Sequence, residues 1–190
     1  MKIAIDIDQT IFECDSFLYK IINFIMPGQS EFKKLKYKSI DEDDVSTERL
    51  INKISRIHNP KFYSINENAN VVVNRLYNDN HEIILLSSRP ASRALCNVLM
   101  ACIKKYDIKF NQIIVECNNK SAFCKENGID VIIDNSADTC DKCSKNGIFS
   151  ICYIQDEEKA ERYRSASFKV AKSWDEIETI FRKISLTKMR

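Results

Sequence analysis

The chain has few of the residues on which several familiar functional motifs depend. Of its 190 residues only three are glycine, at positions 28, 128 and 147, and none of them precedes a lysine. A glycine-rich dinucleotide fingerprint and a phosphate-binding P-loop are therefore excluded. The only histidines, His58 and His81, rule out an HExxH zinc helix. A Ser/His/Asp triad would have only these two histidines to use.

Long apolar runs and an excess of charge are also lacking. The longest apolar runs, such as residues 83–86, fall far short of the ~20 residues that span a bilayer. Asp6 and Asp8 interrupt the first apolar stretch before it reaches the length that a signal peptide needs. The net charge of +2 does not favour nucleic acid as a partner. We therefore expect a cytoplasmic protein with no membrane or nucleic-acid partner, and we leave its oligomeric state open.

The eight cysteines are expected to be reduced thiols that pack as small apolar side chains. Cys140 and Cys143 form a CxxC pair, which is half of a common zinc site or a redox pair. No second CxxC or CxxH accompanies it in the sequence. We therefore predict that this pair holds no zinc.

Short runs rich in β-branched residues recur along the chain and predict the strands of a buried sheet. They occupy residues 2–7, 82–87, 112–116, 130–134 and 148–154, with a weaker run at 168–172. Between them, residues 90–106 carry apolar positions at helical spacing, and residues 173–176 form a capping box that opens a final helix. This alternation predicts an α/β fold, in which helices cover both faces of a parallel sheet.

Residues 12–66 interrupt this alternation. They contain an apolar, aromatic-rich segment at 17–26, an acidic run at 41–44, a predicted helix at 46–58 and a basic stretch made of Lys33, Lys34, Lys36 and Lys38. We interpret residues 12–66 as a helical cap insert, with residues 1–11 and 67–190 forming the α/β core. Solvated surface is the ordinary alternative for both charge runs.

Two aspartates end the first predicted strand, in the sequence Asp6-Ile7-Asp8-Gln9-Thr10. In open parallel sheets, ligands bind in the crevice outside the carboxyl ends of the strands. Two carboxylates at the rim of a buried strand are costly unless a cation or hydrogen-bond donors satisfy them. The pattern favours a binding site at this strand end, and a strand terminator with a capped turn is the simpler alternative.

Three further strand ends carry residues suited to the same site. Ser87 and Ser88 come at the end of the strand at 82–87, where a hydroxyl can donate to a phosphoryl oxygen. Lys120 falls at the predicted start of a helix, where a cation opposes the helix dipole. Asp134 ends the strand at 130–134. The four strand ends together deliver an acid pair, a hydroxyl, a cation and a further acid.

This order of motifs, DxDxT followed by Ser, Lys and an acidic strand end, resembles the haloacid dehalogenase superfamily of aspartate-nucleophile phosphatases. The match spans nearly the whole chain. Two phrases, LLSSRP at 85–90 and IDNSADTC at 133–140, resemble the 5'-nucleotidase and deoxyribonucleotidase group within that superfamily. The resemblance implies a Rossmann-like core, a small helical cap after the first strand, and phosphate monoesters as substrates.

The resemblance also implies roles for the strand-end residues. Asp6 is the expected nucleophile, which attacks phosphorus to give an aspartyl phosphate. Asp8 is expected to protonate the leaving oxygen and then to deprotonate the attacking water. Ser87, Ser88 and Lys120 are expected to bind the phosphoryl oxygens.

Mg²⁺ is the cofactor that the resemblance implies, because a cation must neutralise the repulsion between an anionic nucleophile and a dianionic ester. Asp6, Asp8 and Asp134 are the expected ligands, and Asp138 is expected to orient a bound water from outside them. In a second alignment Asn135 takes the ligand position and Asp134 pairs with the lysine. We favour Asp134, because Mg²⁺ gains more from a carboxylate than from an amide.

Two residues depart from the family's pattern. Gln9 stands where a glycine is usual and is expected to constrain the turn after the strand, which the hydroxyl of Thr10 is expected to brace. Asn135 stands where nucleotidase-like members often carry a second aspartate. The amide predicts weaker metal binding than in the relatives.

Nucleoside monophosphates are the favoured substrate class. Phe12, Phe17, Tyr19 and Phe24 are candidates to stack on a base, and core packing is their alternative role. A phosphatase of sugar phosphates or other small metabolites is the alternative enzyme. A catalytically weak protein that binds a phosphorylated ligand or a protein partner is the alternative of another class.

Overall fold

The computed structural model describes residues 1–13, 63–88, 91 and 93–188. The strands in these ranges are β1 (Lys2–Asp6), β2 (Phe12–Glu13), β3 (Ser64–Ile65), β4 (Glu82–Leu86), β5 (Gln112–Ile114), β6 (Val131–Asp134), β7 (Phe149–Tyr153) and β8 (Lys169–Ala171). The helices are α1 (Ala69–Asn78), α2 (Arg93–Lys105), α3 (Lys120–Glu126), α4 (Ala137–Lys145), α5 (Glu157–Glu161) and α6 (Trp174–Lys188).

Six of these strands form one parallel sheet in the order β5-β4-β1-β6-β7-β8. Strand β1 lies between β4 and β6, so three strands that are distant in sequence end side by side. Continuous apolar strands of this kind are typical of a sheet that is covered on both faces. The predicted α/β fold with a Rossmann-like parallel sheet is confirmed.

Alternate residues of the central strands face two separate apolar cores. Ile3 and Ile5 of β1 pack on the face that α1, α2 and α6 cover. Ala4 of β1 packs on the opposite face, with Cys124 of α3 and Cys143 of α4. This division follows from the two-residue period of a strand, and it fixes β1 in the middle of the molecule.

The two longest helices in the described ranges, α2 and α6, agree with their sequence signals. The apolar stripe predicted over residues 90–106 includes buried side chains of α2, such as Leu99 and Ile103. The predicted capping box opens α6, where the backbone N–H of Glu176 donates to the hydroxyl oxygen of Ser173 at 3.2 Å.

The ends of the predicted helical cap insert are strands, not helices. Strand β2 pairs antiparallel with β3, with Phe12 opposite Ile65, so the two ends of the predicted insert form a two-stranded ribbon. Phe12 is buried, and its ring centroid lies 6.5 Å from that of Tyr63 and 5.8 Å from that of Tyr106. Phe12 therefore has the packing role. The predicted helix at 46–58, the four lysines and the other aromatic candidates lie outside the described residues.

The two cysteines of the CxxC pair are both buried on α4 but belong to different apolar clusters. Cys140 packs with Cys152 and Phe168, whereas Cys143 packs with Cys117 and Cys124. A hydrogen bond with Cys152 and burial raise the pKa of the Cys140 thiol. The absence of zinc from this pair stays a prediction.

None of the helices in the described ranges has the length and apolar character that crossing a membrane requires.

Candidate active site

The carboxyl ends of β1, β4 and β6 bring the predicted site residues to one edge of the sheet. Asp6 is the last residue of β1, Ser87 directly follows β4, and Asp134 is the last residue of β6. Lys120 is the first residue of α3, next to the same edge. Because adjacent parallel strands end together, residues up to 128 positions apart in sequence become neighbours.

Lys120 joins the two aspartates that end β1 and β6. Its Nζ atom lies 2.5 Å from Asp6 Oδ1 and 2.7 Å from Asp134 Oδ2. The three side chains are 10%, 5% and 0% exposed, respectively. A cation at a helix N-terminus opposes the helix dipole, and here the two carboxylates offset that cost.

Burial makes the ionised form of Asp6 costly. It raises the pKa of Asp6 from 3.8 to about 8, and the charges of Asp134 and Asp8 add to the rise while Lys120 opposes it. Burial also lowers the pKa of Lys120, but the charges of Asp6 and Asp134 outweigh this and raise it above its ordinary value. The two carboxylates therefore favour the charged form of the lysine, and burial disfavours the charged form of Asp6.

A tight turn after β1 aims a second hydrogen bond at Asp6. The hydroxyl of Thr10 donates to Asp6 Oδ2 at 2.9 Å. Gln9 has φ = 62°, in the left-handed region that glycine adopts without strain and other residues rarely adopt. The backbone N–H groups of Ile11 and Phe12 close the turn on the carbonyl of Ile7, both at 3.1 Å. Asp6 is thus bonded at both carboxylate oxygens.

The two serines after β4 have different partners. The hydroxyl of Ser87, which is buried, donates to Asp8 Oδ2 at 3.2 Å. The hydroxyl of Ser88 donates to the backbone carbonyl of Cys117 at 3.1 Å. Ser87 therefore contacts the acid pair directly, and Ser88 ties the end of β4 to the loop that precedes Lys120.

Asp134 and Asn135 point to different neighbours, as the alternation of a strand requires. Asp134 accepts from Lys120 through Oδ2 and from the backbone N–H of Ser136 through Oδ1 at 2.8 Å. The side-chain amide of Asn135 donates to Gln9 Oε1 at 2.9 Å, beside the turn that carries Asp8. The pairing of Asp134 with Lys120 agrees with the second alignment, and which of the two residues binds a metal stays a prediction.

Asp138 lies apart from these residues. It is in the first turn of α4, its side chain is 73% exposed, and it accepts from Lys142 at 2.6 Å. The structure does not bring it together with Asp6.

The oxygen atoms near Asp6 suit a Mg²⁺ ion, because this ion prefers oxygen ligands and a small number of carboxylates. Lys120 supplies one positive charge to the two carboxylates that it bonds, which leaves negative charge for a cation to balance. Within the described ranges, no three His, Cys, Asp or Glu side chains are arranged to hold a metal. Asp6 and the backbone carbonyl of Asp8 would supply such oxygens, with either Asp134 or Asn135 at the end of β6 and water.

The sequence patterns did not point to two buried residues that support this site. Asn66 follows β3, and its side-chain amide donates to the backbone carbonyl of Thr10 at 2.8 Å. Trp174 opens α6, and its indole N–H donates to the same carbonyl oxygen at 3.0 Å. Trp174 is the only tryptophan in the chain, which is the one sequence feature that distinguished it.

Comparison with known proteins gives no matching family model and no matching curated protein. Solved structures do match over nearly the full length. An HAD phosphatase from Thermococcus onnurineus has a TM-score of 0.68 at 15% sequence identity, covering 95% of this chain and 98% of that one. A protein assigned as a β-phosphoglucomutase from Thermotoga maritima has a TM-score of 0.70 at 11% identity, with coverages of 97% and 100%.

The L-2-haloacid dehalogenase from Xanthobacter autotrophicus, in a structure with chloropropionic acid covalently bound, matches with a TM-score of 0.60 at 11% identity. The match covers 95% of this chain and 98% of the dehalogenase. At such low identities the likeness is one of fold. The chain therefore has the fold of the haloacid dehalogenase-superfamily hydrolases.

Proposed function

We propose that this protein is a Mg²⁺-dependent phosphomonoesterase that works through an aspartyl phosphate on Asp6. The observation that carries the proposal is the position of Asp6, buried at the end of the central strand between Lys120 and Thr10. The bonds from the Lys120 ammonium and the Thr10 hydroxyl fix the orientation of the Asp6 carboxylate, as attack on a bound phosphate ester requires. The fold of the protein is shared with an HAD phosphatase of known structure.

In the first step, a carboxylate oxygen of Asp6 forms a bond to phosphorus as the bond from phosphorus to the ester oxygen breaks. Asp8 gives its proton to the departing oxygen, so the leaving group departs as an alcohol. The Lys120 ammonium and the Ser87 hydroxyl stabilise the charge on the transferring phosphoryl oxygens. When bound, Mg²⁺ supplies the positive charge that lets an anionic nucleophile approach a dianionic ester.

In the second step, Asp8 removes a proton from a water molecule that attacks the phosphorus of the aspartyl phosphate. The bond from phosphorus to the Asp6 oxygen breaks, which releases inorganic phosphate and restores the Asp6 carboxylate. Asp8 is again protonated and ready for the next ester. Without substrate the Ser87 hydroxyl donates to Asp8 at 3.2 Å, so it has to turn from Asp8 to donate to a phosphoryl oxygen.

Nucleoside monophosphates are the substrate class that we favour, because of the two phrases that resemble 5'-nucleotidases. The test is turnover of a panel of nucleoside monophosphates, sugar phosphates and p-nitrophenyl phosphate with Mg²⁺. We expect nucleotides to give the highest kcat/KM. A preference for sugar phosphates would move the substrate to the alternative enzyme class and leave the mechanism in place.

Asp6→Asn is the matched test of the mechanism, because it removes the nucleophile and changes the shape of the side chain very little. We expect this variant to have no measurable turnover. Its far-ultraviolet circular dichroism spectrum should match that of the parent. Asp8→Asn is expected to slow esters with poor leaving groups by roughly 10²- to 10⁴-fold and good ones less. Activity of Asp6→Asn within tenfold of the parent would contradict the mechanism.

One observation favours a second candidate, a catalytically weak protein that binds a phosphorylated ligand. An amide, at Asn135, stands beside the Asp8 turn where a carboxylate would bind Mg²⁺ more tightly. No turnover of any ester by the parent, together with saturable binding of a nucleoside monophosphate in calorimetry, would support this candidate over the enzyme.

A further inference from the structure

The backbone carbonyl of Thr10 is the meeting point of two buried side-chain donors. Asn66 donates to it at 2.8 Å and Trp174 at 3.0 Å. Both donors have almost no exposed surface. A carbonyl oxygen has two lone pairs, so these two bonds fill its accepting capacity. Thr10 is therefore held from two sides by parts of the chain far from it in sequence.

The identity of residue 174 matters for this contact. A phenylalanine would fill most of the same apolar volume between the sheet and α6, but it has no N–H group. The chain carries its only tryptophan here, with the indole completely buried and its one polar atom directed at the Thr10 carbonyl. Packing alone does not require that donor.

The restraint acts at a strained turn. Gln9 holds φ = 62° one residue before Thr10, in the left-handed region that residues with a side chain rarely adopt. Such a backbone persists only where its surroundings hold it. On its other side, Thr10 donates its hydroxyl to Asp6 Oδ2 at 2.9 Å. The direction of that hydroxyl depends on the peptide that Asn66 and Trp174 hold.

We propose that Trp174 and Asn66 are positioning residues for the Asp6 nucleophile and act through Thr10. The role in turnover rests on the phosphatase function proposed above. Removing the indole N–H frees the turn and lets the Thr10 hydroxyl leave Asp6, so the carboxylate is less often in the attacking geometry. A small misplacement of a reacting group lowers kcat by between about 10- and 100-fold and leaves substrate binding nearly unchanged.

The kinetic test is a double-mutant cycle with p-nitrophenyl phosphate and Mg²⁺. Trp174→Phe is expected to lower kcat at least tenfold, with KM within about twofold of the parent. In a Thr10→Val background, which already lacks the hydroxyl, Trp174→Phe should lower kcat by less than about twofold. Equal losses in both backgrounds would overturn the proposal, because a general packing defect does not depend on Thr10.

Phe181→Leu is the matched packing control. Phe181 is buried on the same helix and in the same core as Trp174, and none of its atoms bonds to Thr10. We expect this variant to lower the melting temperature as Trp174→Phe does, with kcat unchanged. If Trp174→Phe does not fold, Asn66→Ser removes the other donor and takes its place in the cycle.

A second measurement does not depend on turnover. With ¹⁵N-labelled tryptophan the protein gives a single indole N–H signal, which reports the bond to the Thr10 carbonyl. We expect Asp6→Asn and Thr10→Val each to shift this signal, and the exposed Asp79→Asn to leave it in place. If the parent hydrolyses no ester, the proposed function fails and this measurement alone decides the positioning. An indole signal that neither Asp6→Asn nor Thr10→Val shifts would overturn the proposal.

Discussion

Lysine and aspartate side chains form ion pairs both in a buried cluster at the sheet edge and on the exposed surface of α4. At the sheet edge, Lys120 bonds Asp6 and Asp134, and the three side chains are at most 10% exposed. On the outer face of α4, Lys142 bonds Asp138, and these side chains are 61% and 73% exposed. The shortest N–O distances are similar, at 2.5 and 2.6 Å. The pairs therefore differ in burial and not in the distance between their charged atoms.

The difference shows why only the buried cluster is a candidate site. Water screens an exposed pair one helical turn apart, and such pairs contribute about 0.3–0.5 kcal/mol. Buried charges lose their hydration and remain only where partners or a ligand compensate them. Burial raises the pKa of Asp6, which agrees with a carboxylate that has lost hydration. Asp138, four residues after Asp134, keeps its contact with water.

Among the substitutions that test this comparison, Lys120→Met has the largest expected effect. It removes the ammonium from two buried carboxylates and from the transferring phosphoryl group. We expect kcat to fall roughly 10²- to 10³-fold, and the free energy of unfolding to fall by about 3 kcal/mol or more. Turnover and urea unfolding in a chelator measure the two effects. A kcat within tenfold of the parent would show that the lysine is structural only.

Much of this arrangement is predictable from the sequence, and the reasons are local. The β-branched runs end at Asp6 and Asp134, and parallel strands place their carboxyl ends together, so the edge follows from the order of the strands. Lys120 was expected at a helix start because of the residues around it. These inferences need only short stretches of chain and one rule about sheets.

The remaining contacts depend on packing between distant segments. Trp174 is 164 residues from Thr10, and Asn66 is 56 residues from it, so no local pattern reveals that they share one carbonyl oxygen. Asp138 illustrates the opposite case. Its partner is four residues away on the same helix, but which side of α4 faces solvent is settled only by how the helix packs on the sheet.

Asp134→Asn and Asn135→Asp compare the two residues at the end of β6. Because the Asp134 side chain is completely buried against Lys120, we expect Asp134→Asn to lower turnover but to change the half-saturating Mg²⁺ concentration less than about threefold. Asn135→Asp should lower that concentration about tenfold, which corresponds to about 1.4 kcal/mol. Mg²⁺ titrations followed by turnover and by calorimetry measure both. A sharply higher Mg²⁺ requirement in Asp134→Asn alone would show that Asp134 is the ligand.

We also expect the Asp6→Asn substitution to change how the free energy of unfolding depends on pH when metal is absent. The pKa of Asp6 is about 8 in the folded protein against 3.8 ordinarily, so between these values the folded state binds more protons than the unfolded state. The stability of the parent relative to Asp6→Asn therefore falls as pH rises from about 4 to 8.

We expect Asp6→Asn to be more stable than the parent by about 1–3 kcal/mol at pH 8 and nearly equal to it at pH 4. Thermal unfolding in a chelator at both values provides the measurement. Asp79→Asn is a control for the loss of a carboxylate at an exposed position. A constant difference between Asp6→Asn and the parent across this range would show that Asp6 is ionised throughout.

Lys142→Met has the smallest expected effect and tests the other half of the comparison. The change removes the partner of Asp138 from the surface of α4, but both side chains remain in contact with water, which replaces the lost hydrogen bond. We expect a melting temperature within about 2 °C of the parent, and unchanged kcat and Mg²⁺ dependence. Raising the salt concentration should shrink even this difference, because screening weakens exposed pairs. If Lys142→Met instead changed the Mg²⁺ dependence, then Asp138 would have to reach the site in solution, and burial would not separate the two kinds of pair.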